Sequence, residues 1–216
     1  MKKTALLALV ALALLGFLGY LLFWPAQTLQ RAIQQQGQAI TGCEVTVKGI
    51  TWTREAGLFV VTGLEVANPA AFGKGAAVTV PVIEIEVDPA SLDREVVEVR
   101  RLVVSGPRIH HAAGQGGSNF EAIEKAIREA VPQAGARRFV VRQLSVRDMR
   151  IVVTPTGGQP GETDLLSYYR DDLGKDKSGA TALEIVQVIA AQMRQRMAIA
   201  IGIENIKSGI RSLFGD

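Results

Sequence analysis

The chain has 216 residues, of which 48% are hydrophobic and 21% are charged, so it is long and apolar enough to bury a core. Its net charge is only +3, its basic residues are spread along the chain and its aromatic content is 6%, which argues against a nucleic-acid-binding protein. The single cysteine, Cys43, excludes an internal disulfide, and we expect it to be buried as a small apolar residue.

The beginning of the chain is apolar and uncharged from residue 4 to residue 24, directly after two lysines. As a helix this segment would span about 30 Å, the thickness of a bilayer core. Residues 1–25 are therefore predicted to form a cytoplasmic tail and a transmembrane anchor, with Tyr20 and Trp24 at the outer interface. A cleaved signal peptide is the alternative, but its apolar region would be shorter and would end in small residues.

Helical and then strand-like patterns follow the anchor. Residues 26–42 contain good helix formers with Leu29 and Ile33 on one side, which predicts a juxtamembrane helix. Across residues 43–156 the pattern alternates with period two in segments rich in Val and Ile, bounded by turn residues, as is typical of strands. In "VIEIEVD", Ile83 and Ile85 fall on one face and the acidic residues on the other, which predicts a sheet with one dry and one wet side.

Two of these strand-like segments are similar in sequence. The runs "VRRLVVSGPRI", from Val99, and "VRQLSVRDMRI", from Val141, agree at six matched positions, and a looser version, "VTGLEVANP", begins at Val61. Each places Leu and Val on one face and then reaches a corner. The spacing of about 40 residues indicates a repeated supersecondary unit. Alternatively, the recurrence reflects only the chemistry that strands share.

One helix is predicted within the strand region, at residues 118–131. Ser118 or Asn119 can cap it, Glu121 falls in its first turn, and Phe120 begins an apolar series with helical spacing. We expect this helix to cover the sheet.

The last part of the chain divides into a polar and an apolar segment. Residues 157–179 are rich in Gly, Pro, Asp and Lys, which predicts a loop or linker. Residues 180–214 have the pattern of a long amphipathic helix that packs on the sheet or on a partner helix, or lies on a lipid surface. Its predicted apolar face contains Ile185, Ile189, Met193, Met197, Ile203, Ile206 and Ile210.

No catalytic, cofactor or metal site is predicted, and we do not expect an enzyme. His110 and His111 are the only histidines and, as neighbours on a strand, would point to opposite faces. No serine lies in a Gly-x-Ser-x-Gly turn. The acidic residues between Asp164 and Asp176 match no calcium loop, and we expect them to be solvated.

Four motifs occur in a fixed order along the chain: "GLEVANPAAFG", "VPVIEIEVDPASL", "VVEVRRLVVSGPRI" and "GGSNFEAI". In this order they resemble the amino-terminal module of the AsmA-like envelope proteins of Gram-negative bacteria, a group to which TamB is related. Those proteins begin with one inner-membrane helix and continue with strands and a turn of these patterns. The resemblance covers roughly residues 1–154.

The resemblance implies an α+β protein of the bacterial inner membrane, with a single transmembrane helix, a cytoplasmic amino terminus and most of the chain in the periplasm. Its antiparallel sheet would curve into an open, taco-like half-barrel with a covering helix and the long carboxy-terminal helix. In longer relatives such grooves are thought to carry phospholipid or to assist outer-membrane assembly. The residues expected to line the groove are Leu64, Val66, Ile83, Ile85, Leu102, Val104, Leu144 and Val146.

The chain is much shorter than those relatives, which leaves two interpretations. Five or six strands extend only roughly 25 to 30 Å, too little to bridge an envelope. In the first interpretation the protein binds or moves phospholipid beside one membrane, and the groove must be open. In the second it is a tethered scaffold that docks other envelope proteins through a sheet edge or the carboxy-terminal helix, and that helix fills the groove.

Overall fold

The computed structural model describes residues 26–53, 55–114, 117–129, 137–154 and 160–181, together with ten positions between 184 and 202, all of them helical. The fold is α+β, with a curled half-barrel sheet and a few helices. The elements are α1 (Ala26–Thr41), β1 (Val45–Thr53), β2 (Leu58–Ala67), β3 (Ala76–Val87), β4 (Val96–Ser105), β5 (Arg108–Gly114), β6 (Gly117–Ser118), α2 (Asn119–Glu129), β7 (Arg138–Arg147), β8 (Met149–Thr154), β9 (Gly161–Leu165), β10 (Tyr168–Leu173) and β11 (Ala180–Thr181).

The predicted transmembrane segment lies outside the described residues, as do Tyr20 and Trp24. Within the part of the chain that is described, no helix has the length and apolar character needed to cross a membrane.

The sheet bends along a line of corners. β4 and β5 form one bent strand with its corner at Gly106 and Pro107, and both parts pair antiparallel with β3. β7 and β8 form a second bent strand with its corner at Asp148, and β9 and β10 form a third, with its corner at residues 166–167. Backbone hydrogen bonds join the first two corners, from Gly106 N–H to the Arg147 carbonyl at 3.0 Å and from Arg150 N–H to the Pro107 carbonyl at 2.9 Å.

The two similar sequence segments lie side by side in the sheet. Their strands pair in parallel with a constant offset of 42 residues, from Val96 opposite Arg138 to Ala112 opposite Thr154. This is the offset between the two matched sequences, so Val99 lies opposite Val141. The same pattern recurs because both strands contribute equivalent side chains to one core and turn the same corner.

The expectation of an antiparallel sheet is wrong for these strands, because β4 and β7 are parallel, as are β5 and β8. The physical reason is the helix between them. Parallel neighbours require a crossover connection, and α2 lies in the chain between β5 and β7, so it can provide that connection. The predicted helix was therefore the signal in the sequence that indicated parallel pairing. The remaining ladders are antiparallel.

The prediction of a loop at residues 157–179 is also wrong for the 11 residues of that segment that form β9 and β10. Few of its side chains point into the core, so composition alone indicated a loop. The strands are stabilised instead by backbone pairing and by ion pairs to their neighbours. Arg150 lies 3.4 Å from Glu162 and 3.1 Å from Asp164, and Arg142 lies 3.0 Å from Asp172. Two of the acidic residues expected to be only solvated therefore have cross-strand partners.

Arg142 links three strands through carboxylates on its two sides. Its guanidinium is 2.9 Å from Glu98 in β4 and 3.0 Å from Asp172 in β10, and Lys175 is 2.9 Å from the second oxygen of Asp172. The hydrogen bond from Arg142 lowers the pKa of Glu98, and those from Lys175 and Arg142 lower the pKa of Asp172.

Because both carboxyl pKa values are lowered by folding, this network should stabilise the protein above the ordinary carboxyl pKa of about 4 and lose that effect as pH falls through the lowered values. We expect Arg142→Gln to reduce the free energy of unfolding at pH 7, with the difference from wild type shrinking in acid. Urea unfolding at several pH values measures this. Arg147→Gln is the matched control, since among the described residues the Arg147 side chain bonds only to the Ser105 hydroxyl. A difference that does not change with pH would contradict the prediction.

The helices α1 and α2 match their sequence signals closely. In α1, Leu29 and Ile33 are buried, and Thr41 ends the helix by accepting a hydrogen bond from the N–H of Cys43. Cys43 itself is buried, as expected, and burial raises the pKa of its thiol. At the start of α2, Ser118 and Glu121 each accept a hydrogen bond from the other's backbone N–H, which is a capping box.

Asn119, the alternative cap, has a different role. Its side chain is fully buried, accepts a hydrogen bond from the N–H of Ala112 and donates to the carbonyl of His110 and to the side chain of Asn68. It thereby joins the start of α2 to β5 and to the Asn-Pro turn after β2. Two of the motifs that carry the family resemblance thus meet at one hydrogen bond.

Candidate functional site: the concave face and its rim

Six of the eight predicted groove residues form two rows across β3, β4 and β7. In one row Ile85 lies opposite Leu102, which lies opposite Leu144. The second row contains Ile83, Val104 and Val146 in the same way. Both rows continue into β2 through Phe59 and Val61. The other two predicted residues, Leu64 and Val66, lie opposite Val80 and Val78, nearer the other end of β3.

All eight predicted residues are buried, with at most 2% of their surface exposed. They belong to a single core cluster that also contains Leu29 and Ile33 of α1, Phe120 and Ile123 of α2, and side chains of the carboxy-terminal helix. In this conformation the face is covered by the helices, and the eight side chains line a packed core instead of an open groove.

The carboxy-terminal helix contributes one apolar side to that core. Ile185 and Ile189 are each 1% exposed, whereas Val188 and Ile199 face outward with 39% and 61% of their surface exposed. The remaining members of the predicted apolar face lie outside the described residues: Met193, Met197, Ile203, Ile206 and Ile210.

The carboxy-terminal helix begins later than predicted. Ala180 and Thr181 form a short strand that pairs with β7, and Thr181 then exchanges capping hydrogen bonds with Glu184. The strand thus ties the start of the helix to the sheet.

A second attachment of this helix lies at the rim of the concave face. Nη1 of Arg196 donates to the carbonyls of Leu166, at 2.9 Å, and Ser167, at 3.2 Å, which form the corner between β9 and β10. Its guanidinium carbon lies 5.6 Å from the ring centre of Tyr168. The apolar face predicted from the sequence did not include Arg196. The signal that this prediction missed is the seven-residue spacing from Ile189, which returns a helix to the same face.

Tyr168 and Arg170 end the two apolar rows at this rim. Tyr168 lies opposite Val146, and Arg170 lies opposite Leu144, so each shares the face of its row. Tyr168 is 5% exposed and its hydroxyl has no hydrogen-bond partner among the described residues, while Arg170 is exposed. Burial raises the pKa of Tyr168, against the opposing influence of Arg170 and Arg196. Sequence reasoning assigned both residues to a loop and therefore missed them.

The two histidines lie on opposite faces of the strand, as the alternation predicted. His111 is buried and stacks on Phe120 with ring centres 5.9 Å apart, whereas His110 is partly exposed. Among the described residues, no group of His, Cys, Asp or Glu side chains is arranged to hold a metal ion.

The site is therefore a buried apolar face with a polar rim formed by Tyr168, Arg170 and Arg196. No family model, curated protein or solved structure matches the chain.

Proposed function

We propose that this protein is an inner-membrane-anchored periplasmic protein of the AsmA-like type, whose concave sheet face binds phospholipid acyl chains when the carboxy-terminal helix is displaced. The observation that carries the proposal is the pair of apolar rows that cross β2, β3, β4 and β7 without interruption. The anchor, the periplasmic location and the role in envelope biogenesis rest on the sequence pattern and the family resemblance.

The carboxy-terminal helix is the element that must move, because its buried side chains Ile185 and Ile189 belong to the core that contains the apolar rows. The helix is attached to the sheet at its start and at Arg196. An acyl chain could replace these aliphatic contacts, since burial of apolar surface is not directional. The helix and the lipid would then compete for the same face.

This competition gives a test with the full-length chain, purified from bacterial membranes in mild detergent and analysed by native mass spectrometry with lipid extraction. Ile189→Ala should weaken the docked helix by about 2 kcal/mol or more, which favours its displaced state by roughly thirtyfold. We expect the variant to retain more phospholipid than wild type. Ile199→Ala, on the exposed side of the same helix, is the matched control and should retain as much as wild type.

The covered face favours a second candidate, a tethered scaffold that binds no lipid. Its docking surface would include Leu166 and Tyr169 at the sheet edge, which are 82% and 68% exposed. In that case wild type and Ile189→Ala would both be free of lipid, and a stoichiometric protein partner would be lost on Leu166→Asp. That result would contradict the lipid proposal.

A further inference from the structure

At one edge of the concave face the apolar rows end in polar groups. The helix covers this edge only in part. From β2 to β7 the second row contains Val61, Ile83, Val104 and Val146, and its next member is Tyr168. The first row ends in the same way at the guanidinium of Arg170. The face therefore has the polarity of an amphiphile, with an apolar length and a cationic end.

The Tyr168 hydroxyl lacks an acceptor at this end of the face. It is buried and has no hydrogen-bond partner within the described part of the chain, although a buried hydroxyl normally has one. Among the residues that the structure describes, the charged groups that act on Tyr168 are Arg170 and Arg196, and neither is a carboxylate. An unsatisfied donor beside two cations is the arrangement in which an anion supplies what is missing.

The two arginines retain hydrogen-bond donors for such an anion. Arg196 uses only Nη1 for the Leu166 and Ser167 carbonyls, which leaves its Nε and Nη2 without a hydrogen-bond partner among the described residues. Arg170 has no ion pair within the described part of the chain. By contrast, Arg142 in β7 and Arg150 in β8 are each already paired with two carboxylates.

We propose that Tyr168, Arg170 and Arg196 form a binding site for a phosphate group, supplied by the headgroup of a phospholipid whose acyl chain lies along the apolar rows. The assignment of the lipid rests on the proposed function, whereas the phosphate chemistry rests on these three side chains. Guanidinium groups match phosphate oxygens in geometry and charge, and the hydroxyl adds a donor. The hydroxyl is covered in this conformation, so a phosphate meets exposed Arg170 first and reaches the hydroxyl after side-chain rotation.

The test uses two soluble probes, inorganic phosphate and dihexanoyl phosphatidylglycerol below its micelle concentration, titrated calorimetrically into the full-length protein in detergent. Tyr168→Phe removes one hydroxyl and keeps the ring, and Arg170→Gln removes one charge. We expect each change to weaken binding of the short-chain lipid about tenfold. The matched controls are Tyr169→Phe, at the exposed neighbouring tyrosine, and Arg108→Gln, at an exposed arginine of β5, and both should bind like wild type.

The two probes separate the possible sources of the phosphate. A loss seen only with the lipid supports a headgroup site, and an equal loss with inorganic phosphate supports a site for a free anion. If wild type binds neither probe, or if Tyr168→Phe and Arg170→Gln both bind like wild type, the site proposal is overturned. Lipid retention that responds to Ile189→Ala but not to these two changes would overturn the headgroup site and leave the proposed function standing.

Discussion

Replacement of Ile85 by aspartate is expected to unfold the sheet. Ile85 is fully buried, and it lies between Phe59 and Leu102 in the first apolar row. Loss of its side chain costs about 2 to 5 kcal/mol, and an unpaired buried carboxylate adds several more. The total approaches the 5 to 15 kcal/mol that stabilises a typical domain. Circular dichroism and urea unfolding of Ile85→Asp would measure the effect.

The conservative control at this position is Ile85→Val, which removes one methylene and should cost about 1 kcal/mol while the fold is kept. If Ile85→Asp folds and unfolds cooperatively near the wild-type midpoint, Ile85 faces solvent or a water-filled groove, and the packed core described above is not the main state. The same argument applies to Leu144. Loss of lipid in either aspartate variant would therefore report unfolding, which is why the lipid test uses the helix instead.

Gly57→Ala is expected to be a strongly destabilising glycine-to-alanine change. Gly57 lies in the turn before β2 with φ of 63°, and a Cβ there would come 2.2 Å from the carbonyl oxygen of Val87. The contact is to backbone, and the Gly57 carbonyl also accepts the N–H of Val87, so neither group can move freely. Strain and overpacking together should cost roughly 2 to 4 kcal/mol, or about 5 to 15 °C in Tm.

Gly42→Ala separates the two contributions, because Gly42 also has a positive φ, of 67°, but a Cβ there would meet only the Cβ of Ala126, at 3.6 Å, which is an ordinary contact. It should cost only the backbone preference, about 1 kcal/mol. Thermal unfolding of both variants is the measurement. Equal shifts in Tm would mean that the approach of the turn to β3 is not tight, and would contradict the close packing described here.

The proposed headgroup site and the proposed acyl face make different demands on the protein. The acyl face needs the helix to leave, and its energetics depend on aliphatic contacts such as those of Ile185 and Ile189. Binding of the phosphate at the rim needs only side-chain motion at Arg170. A phospholipid could therefore bind first at the rim through its phosphate, and only afterwards displace the helix. The electrostatic first step should weaken in high salt, whereas acyl burial should not.

Features that depend on neighbouring residues in the chain were predictable from the sequence. The alternation in β3 predicted which side chains are buried, and Ser118 with Glu121 predicted the start of α2. These signals are local, since a strand alternates its faces every residue and a cap satisfies the first turn of its own helix.

Features that depend on residues far apart in the chain could not be predicted from these local signals. The parallel pairing of β4 with β7 was missed, although both strands were recognised, because the direction of a strand is decided by its connection. β9 and β10 were missed because their polar side chains resemble those of a loop, whereas their backbones pair with β8 and β7, whose arginines form ion pairs with their carboxylates.

By itself, the sequence determined the apolar strands, the helices α1 and α2 and most of the side chains that face the core, because hydrophobic periodicity is a property of successive residues. Only the tertiary structure decided that two similar strands lie side by side, that the helices cover the apolar face, and that Tyr168, Arg170 and Arg196 meet at its rim. The reason is physical: these arrangements join residues that are tens of positions apart, and pairing, crossover and burial select them together.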